Sequence, residues 1–382
     1  MRQVVAIALS LALIAVSACK SRQTTTDEDL AVAPSAHGEK TLPDEDSELY
    51  WYHRGTDATR AVWSAYRLSD ADALLFDGQG EGPLPFWLSA QAFDLLLDSV
   101  GHFWRKDLAA EVVAAYYRDF TALHPDRASH ASNEDVLWWS IACVRAARIT
   151  NDKSYSLESR TLYDRLWSTQ VDNALGGGMW RRSDNRNEKS AAVNFAAVVV
   201  ALNLYSATKD VKYLLQGKRI YQWATAHLFN SASGAVYDHL SADETRDERE
   251  CPRNCGIFIG ASMRLYRATG VQAYLSNAIK AADRLVGALD DGGTLMSFGQ
   301  RDEGSFSGIA VRYLAELARR PSCTRYREHL LSCARAAWTS RRLSDGLNGP
   351  NWSKAPLDTE KIEPHAAISA AMLYFATSRA YR

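Results

Sequence analysis

Thr150-Asn151-Asp152-Lys153-Ser154-Tyr155 returns in altered form as Thr208-Lys209-Asp210-Val211-Lys212-Tyr213-Leu214, and again as Thr269-Gly270-Val271-Gln272-Ala273-Tyr274-Leu275. Each copy reads as the end of one helix and the start of the next. From Tyr155 to Tyr213 is 58 residues and from Tyr213 to Tyr274 is 61. A period near 60 exceeds the roughly 33–47 residues of the common two-helix solenoids and suits paired helices joined by a sizeable loop. Each copy follows a run of small and apolar residues, such as Ser140 to Arg148 or Asn194 to Leu202. Such runs predict helices buried on several faces.

Three further segments extend the series: Leu84 to Leu96, Ser307 to Leu314 and Pro364 to Ala371. That makes six inner-helix candidates. Six hairpins of this period use nearly all of the chain beyond residue 48, which is what a closed ring of inner and outer helices, an (α/α)6 toroid, requires. An open solenoid is the alternative; the sequence shows no polar capping repeats, which favours closure. Strand-like alternation is sparse, so the fold class is all-α.

The N-terminus addresses the chain for export. Arg2 precedes the apolar run Val4 to Ala15, long enough for a signal h-region and too short to span a bilayer permanently. Val16-Ser17-Ala18-Cys19 then resembles a bacterial lipobox, in which the cysteine becomes the lipidated first residue after cleavage. Lys20 stands where an inner-membrane-retention aspartate would, so an outer-membrane lipoprotein is expected in a Gram-negative host. Residues 1–18 are read as the signal peptide. Residues 19–48, rich in Thr, Ser, Asp and Glu without periodicity, form a tether. Residues 49–382 are the folded domain.

A formal net charge of −1 gives no support to nucleic-acid binding. Setting Cys19 aside leaves Cys143, Cys251, Cys255, Cys323 and Cys333, so two disulfides at most can form. The 251/255 and 323/333 pairs are close enough in sequence to bridge locally. An oxidising compartment favours bridges over a zinc site.

The chemistry concentrates in Ala131-Ser132-Asn133-Glu134-Asp135-Val136-Leu137-Trp138-Trp139. Adjacent carboxylates beside adjacent indoles suit a glycosidic bond, which carboxylates cleave and on whose sugars aromatic faces stack. The alternative is a helix start, with Ser132 as N-cap and Asp135 at N3. Trp87, Trp138, Trp139 and Trp180 either line a groove or pack between helices. Neighbours on a helix point about 100° apart, so one of Trp138 and Trp139 belongs to the core. Asn194 opens an otherwise apolar helix, where an unpaired amide would be costly; Asn194 and Asp238 are candidate cleft residues, with capping as the alternative. Gly176-Gly177-Gly178 permits close backbone approach but lacks the spacing and lysine of a phosphate-binding loop. Asp290-Asp291-Gly292-Gly293 reads as a turn.

In order and spacing these segments resemble glycoside hydrolase family 76, the endo-α-1,6-mannanases, over most of residues 50 to 380. The resemblance rests on Phe86-Trp87 with Asp94, the acidic pair with Trp138, Gly176 to Trp180, Lys189 to Asn194, Gly234 to Asp238, Asn254 to Gly260 and Gly308 to Leu314. It implies an (α/α)6 toroid that cleaves α-1,6-mannosidic links with retention. It further implies Glu134 as nucleophile, Asp135 as acid/base, and Trp87, Trp138, Trp180, Asn194, Asp238 and Asn254 as sugar contacts. No metal or organic cofactor is implied, and a monomer held to the membrane only by its lipid is expected. The chain departs from the family pattern twice: Glu134 stands where the family has Asp, and Cys255 stands where it has Gln before Gly256. A non-catalytic mannan-binding protein on the same scaffold is therefore an alternative. Another (α/α)6 sugar enzyme is a second: an epimerase would use histidines such as His130 and His365, and an unsaturated-glycuronide hydrolase would need basic residues, none of which cluster near the acidic pair in sequence.

Overall fold

The computed structural model describes residues 46–67, 73–77, 82–101, 106–297, 299 and 301–381. The signal peptide, the lipidation site at Cys19 and nearly all of the tether lie outside the described residues.

Among the described residues, twelve helices of 13 residues or more alternate between an outer and an inner ring. The outer helices are α1 (Glu48–Tyr66), α3 (Lys106–Leu123), α5 (Lys153–Gln170), α7 (Val211–Leu228), α9 (Gln272–Ala288) and α11 (Arg325–Ser340). The inner ones are α2 (Phe86–Val100), α4 (Asn133–Thr150), α6 (Ala191–Thr208), α8 (Pro252–Thr269), α10 (Phe306–Ala318) and α12 (Pro364–Arg379). Inner helices pack on inner neighbours in the order α2, α4, α6, α8, α10, α12 and back to α2, and α12 also packs against α1. The ring therefore closes, as an (α/α)6 toroid. All six inner-helix candidates fall where the sequence placed them. The apolar α6 is long and apolar enough to cross a membrane, yet it is a core helix whose residues 191 to 204 are all buried.

The three echoes are the tightest inner-to-outer connections, two residues each at 151–152, 209–210 and 270–271. The same device builds all of them. The threonine hydroxyl donates back to the carbonyl four residues earlier (2.7–2.8 Å) and accepts from the N–H two residues ahead (3.2–3.3 Å). The residue between is left-handed: Asn151 at φ 59°, Lys209 at 61° and Gly270 at 72°. Asp152 and Asp210 then cap the following helix.

Outer-to-inner connections are longer. Residues 171–190 and 229–251 meet in a small antiparallel sheet of β1 (Glu188–Ser190), β2 (His239–Ser241) and β3 (Arg246–Asp247), with Lys189 opposite Leu240. Residues 290–293 form the expected turn, Gly293 N–H donating to Asp290 Oδ1 at 2.8 Å. Inner helices approach closely where glycine allows it: a Cβ on Gly256 would lie 2.5 Å from Ala310 Cα, and one on Gly308 2.6 Å from Ser369 Cα.

The expected disulfides are absent among the described residues: all five cysteines are free and buried. Cys251 and Cys255 span one turn at the start of α8, and Cβ atoms so spaced lie about 5–6 Å apart, against about 3.8 Å across a disulfide. Cys323 precedes α11 and Cys333 lies eight residues into it, about 12 Å along the axis.

Candidate active site

All six inner helices begin at the end of the barrel that carries the long loops, and there the acidic pair opens α4. Ser132 is the N-cap of α4: Asp135 N–H donates to its hydroxyl at 3.4 Å, and the hydroxyl donates to Asp135 Oδ1 at 2.6 Å. The capping reading of Asp135 is thus true as geometry. It does not describe the whole environment. Burial pushes the Asp135 carboxyl up to about 7, against the Ser132 hydrogen bond, with the charges of Glu134 and Asp302 adding to the rise. An acid titrating there holds a proton near neutral pH, which a cap does not require.

Glu134 is buried and accepts from Trp138 Nε1 at 3.3 Å. Arg253, from the first turn of α8, sets Nη1 3.1 Å from the same Oε1. Burial alone would lower the Arg253 pKa; Glu134 foremost, with Cys251, Asp238 and Asp302, raises it instead. The guanidinium lies 4.3 Å from the Phe306 ring centre, and its Nε is buried without a partner. Arg253 and Asp302 were not legible as site residues, since 119 and 168 positions separate them from Glu134. A cation therefore reaches the acidic pair after all.

Asp302 lies in the four-residue helix Arg301–Gly304, close enough for its charge to act on Asp135. The proximity of His365 foremost, with Trp87 and Arg253, keeps the Asp302 pKa below the ordinary value. His365 Nε2 lies 3.3 Å from Asp302 Oδ1, and the Trp87 and His365 rings pack at 5.8 Å. His130 stacks on Phe86 at 4.1 Å. Burial lowers its pKa, and its Nδ1 accepts from Ser132 N–H at 3.3 Å, so its 3.8 Å approach to Asp135 is not a charged pair.

Two of the candidate contacts meet elsewhere in the same mouth. Asn254 Nδ2 donates to Asp238 Oδ1 at 3.0 Å, leaving Asn254 Oδ1 buried and unpartnered. Burial favours a higher Asp238 pKa, yet His239, Asn254 and Arg253 hold it below the ordinary value. Asp238, His239 and Asp247 bring ligand atoms within 4.8 Å of one another. Those groups are already engaged, Asp238 by Asn254, Asp247 by Arg249 at 2.7 Å, and His239 Nε2 by Glu188 at 3.3 Å. Trp180 donates from Nε1 to Asp172 at 2.7 Å, and Lys189 Nζ lies 4.4 Å from its ring centre.

Asn194 is wholly buried and fully spent on the backbone. Its Oδ1 accepts from Met179 N–H at 2.7 Å, and its Nδ2 donates to the Met179 and Ser190 carbonyls at 3.0 and 2.9 Å. The amide clamps the Gly176–Trp180 loop to the start of α6. Lys189 does the same from the strand: its buried Nζ reaches Asp172 at 3.0 Å and the Ala174 and Gly177 carbonyls at 2.7 and 2.6 Å. Trp139 is the core member of its pair, stacked on Phe120 at 3.5 Å with Nε1 donating to the Phe86 carbonyl.

Comparison with known proteins agrees with this geometry. The sequence profile of glycosyl hydrolase family 76 matches residues 50–379. No curated protein sequence matches significantly. Among solved structures, the α-1,6-mannanase of Salegentibacter sp. is similar at 28% identity and a TM-score of 0.80, covering 86% of this chain and 98% of that one. An inactive variant of that enzyme, with two successive aspartates replaced by asparagine and α-1,6-mannotriose bound, is similar at 27% identity, a TM-score of 0.80, and 86% and 99% coverage. A protein of Listeria innocua follows at 25% identity, a TM-score of 0.79, and 86% and 96% coverage. The toroid, the carboxylate pair at the start of α4 and the profile match over nearly the whole folded domain lead to one assignment: this chain belongs to glycosyl hydrolase family 76.

Proposed function

We propose that the protein is a retaining, endo-acting hydrolase of α-1,6-mannosidic links, with Glu134 as nucleophile and Asp135 as acid/base. The observation that carries this reading is the split between two adjacent carboxyls. Asp135 is pushed up to about 7 and Glu134 is fixed by Arg253 and Trp138. A double displacement needs that pairing, one group ionised to attack the anomeric carbon and the other protonated to release the leaving oxygen. Asp135 then takes a proton from water to free the glycosyl ester. Relatives named as α-1,6-mannanases, one inactivated by loss of two successive aspartates, support the linkage and the roles.

A second reading has its own observation. Arg253 binds the same Glu134 oxygen that Trp138 does, and a carboxylate neutralised in this way suits holding a mannan without cutting it. Proton NMR of the first product tests the proposal: an α-configured reducing end supports retention, and a β-configured one contradicts it. Peptide mapping after an activated fluoro-mannoside trap should place the adduct on Glu134; an adduct elsewhere removes its role. The proposal includes a lipid anchor at Cys19, expected to incorporate labelled palmitate in cells; equal labelling of Cys19→Ala would remove it.

A further inference from the structure

The opposite mouth of the barrel, where the inner helices end and the connections are shortest, holds a basin of about 760 Å³. Arg145 stands eleven residues beyond Glu134 in α4, about 16 Å further along the axis. Eight cationic side chains and two carboxylates line the basin, in a protein whose formal net charge is −1. The floor is a buried ion cluster: Arg145 and Arg312 each reach both Asp94 and Asp98, and Arg379 Nη1 reaches Asp98 at 2.6 Å. On one wall Arg264 and Arg267 share Glu316 at 3.0 and 2.8 Å. Three carboxylates thus serve five guanidiniums. The rim adds Arg148, Lys209 and Arg319, all exposed and with no hydrogen bond or ion pair from their side chains among the described residues.

Two structural explanations fall short of this surplus. Helix C-termini favour cations, and six of them supply about half a negative charge each, but the effect fades within the last turn. Arg145, Arg264 and Arg312 lie five or six residues before their helix ends. Nor are the floor arginines used up by their partners. Arg312 is 6% exposed, yet its Nε makes no hydrogen bond, and neither does buried Arg379 Nη2. The crowding registers as charge repulsion: burial first, then Arg264 and Arg145, lower the Arg148 pKa, while burial together with Arg312 and Arg145 brings Arg379 down to about 10 against the pull of Asp98. All stay protonated at neutral pH.

We propose that this basin binds a phosphate-bearing anion, received between the rim cations and the unspent guanidinium donors of the floor. A carboxylate would satisfy one guanidinium fork; donors converging from floor, wall and rim fit the several oxygens of a tetrahedral dianion. The volume exceeds what a bare phosphate fills, so the group can be carried on a sugar or on a lipid headgroup. The site is separate from the carboxylate mouth and does not depend on hydrolysis there.

The test compares the intact protein with the triple variant Arg148→Gln, Lys209→Gln, Arg319→Gln, whose exposed positions leave the core untouched. Titration calorimetry with inorganic phosphate, against chloride at equal ionic strength, should show saturable binding weakened at least tenfold in the variant, with equal melting temperatures in the absence of phosphate. Phosphate no better than chloride, or equal binding by both proteins, overturns the proposal. Co-sedimentation with phosphatidylcholine vesicles, with and without phosphatidylglycerol, separates the sources. Calorimetric binding with capture by the anionic vesicles assigns a headgroup; binding without capture assigns a soluble phosphate.

Discussion

At the long-loop mouth, Glu134, Asp135 and Asp302 stand near one buried cation, Arg253; at the short-loop mouth, five guanidiniums crowd three carboxylates. The same six helices make both. At their starts one carboxyl is left unsettled: Asp135 sits near the middle of its titration at neutral pH. Their ends carry carboxylates locked in the ionised form. Burial would raise the Asp98 and Glu316 pKa values, but Arg145, Arg379 and Arg312 hold the first well below the usual range, and Arg264 with Arg267 brings the second down to about 2. The lesson is that burial alone does not decide which way a carboxyl's pKa moves. Asp98 is more deeply buried than Asp135, and the difference lies in how many cations face it.

The largest effect that could break this contrast is Asp135→Asn. Removing the proposed general acid should lower mannan turnover by about 10³–10⁴-fold, leaving inorganic phosphate binding at the other mouth unchanged. Joint loss of both would show the ends to be coupled. Next comes Asp98→Asn, which leaves guanidiniums of Arg145, Arg312 and Arg379 underpaired in the floor. Stability should fall by about 3–5 kcal/mol in urea titrations, with KM for mannan unaltered. Arg253→Gln sharpens the choice between the two functional readings. If Arg253 positions the nucleophile, kcat should drop on the order of a hundredfold. A rise in kcat would mean that it silences Glu134.

Asp135 predicts two pH effects of its own. Turnover should fall about tenfold per unit above pH 7 as the acid loses its proton. Its folded pKa, about 7, lies above the ordinary 3.8, so ionisation opposes folding; stability should decline between roughly pH 4 and 7 and level off above, by up to a few kcal/mol. Asp135→Asn should remove that slope and leave the variant more stable than the wild type at pH 8. The smallest effect belongs to Trp138→Phe, which deletes one indole donor to Glu134 and should cost about 1 kcal/mol in kcat/KM.

The barrel was legible because its inner helices carry long small and apolar runs and its short threonine-closed connections repeat; both are local in the chain. The pairing of α12 with α1 closes the ring without a local signal, since it joins the two ends of the folded domain. Of the site, the carboxylate pair and Trp138 were readable together because one helix start carries all three. Asn194 was read as a cleft residue because a buried amide needs partners; it found them in the Met179 and Ser190 backbone, which no spacing reveals. Arg253 and Asp302 were invisible because they arrive from other helices, and the arginine basin because its members come one or two at a time from the ends of different inner helices, at positions that read as ordinary surface charges. The cysteine pairs misled because nearness in sequence ignores the rise of a helix.

The most direct test is digestion of linear α-1,6-mannan by the protein, with products resolved by size beside Asp135→Asn. Short oligosaccharides that disappear in the variant are the predicted result and make the carboxylate pair a working site. Intact polymer with both proteins, or equal cleavage by both, would contradict it.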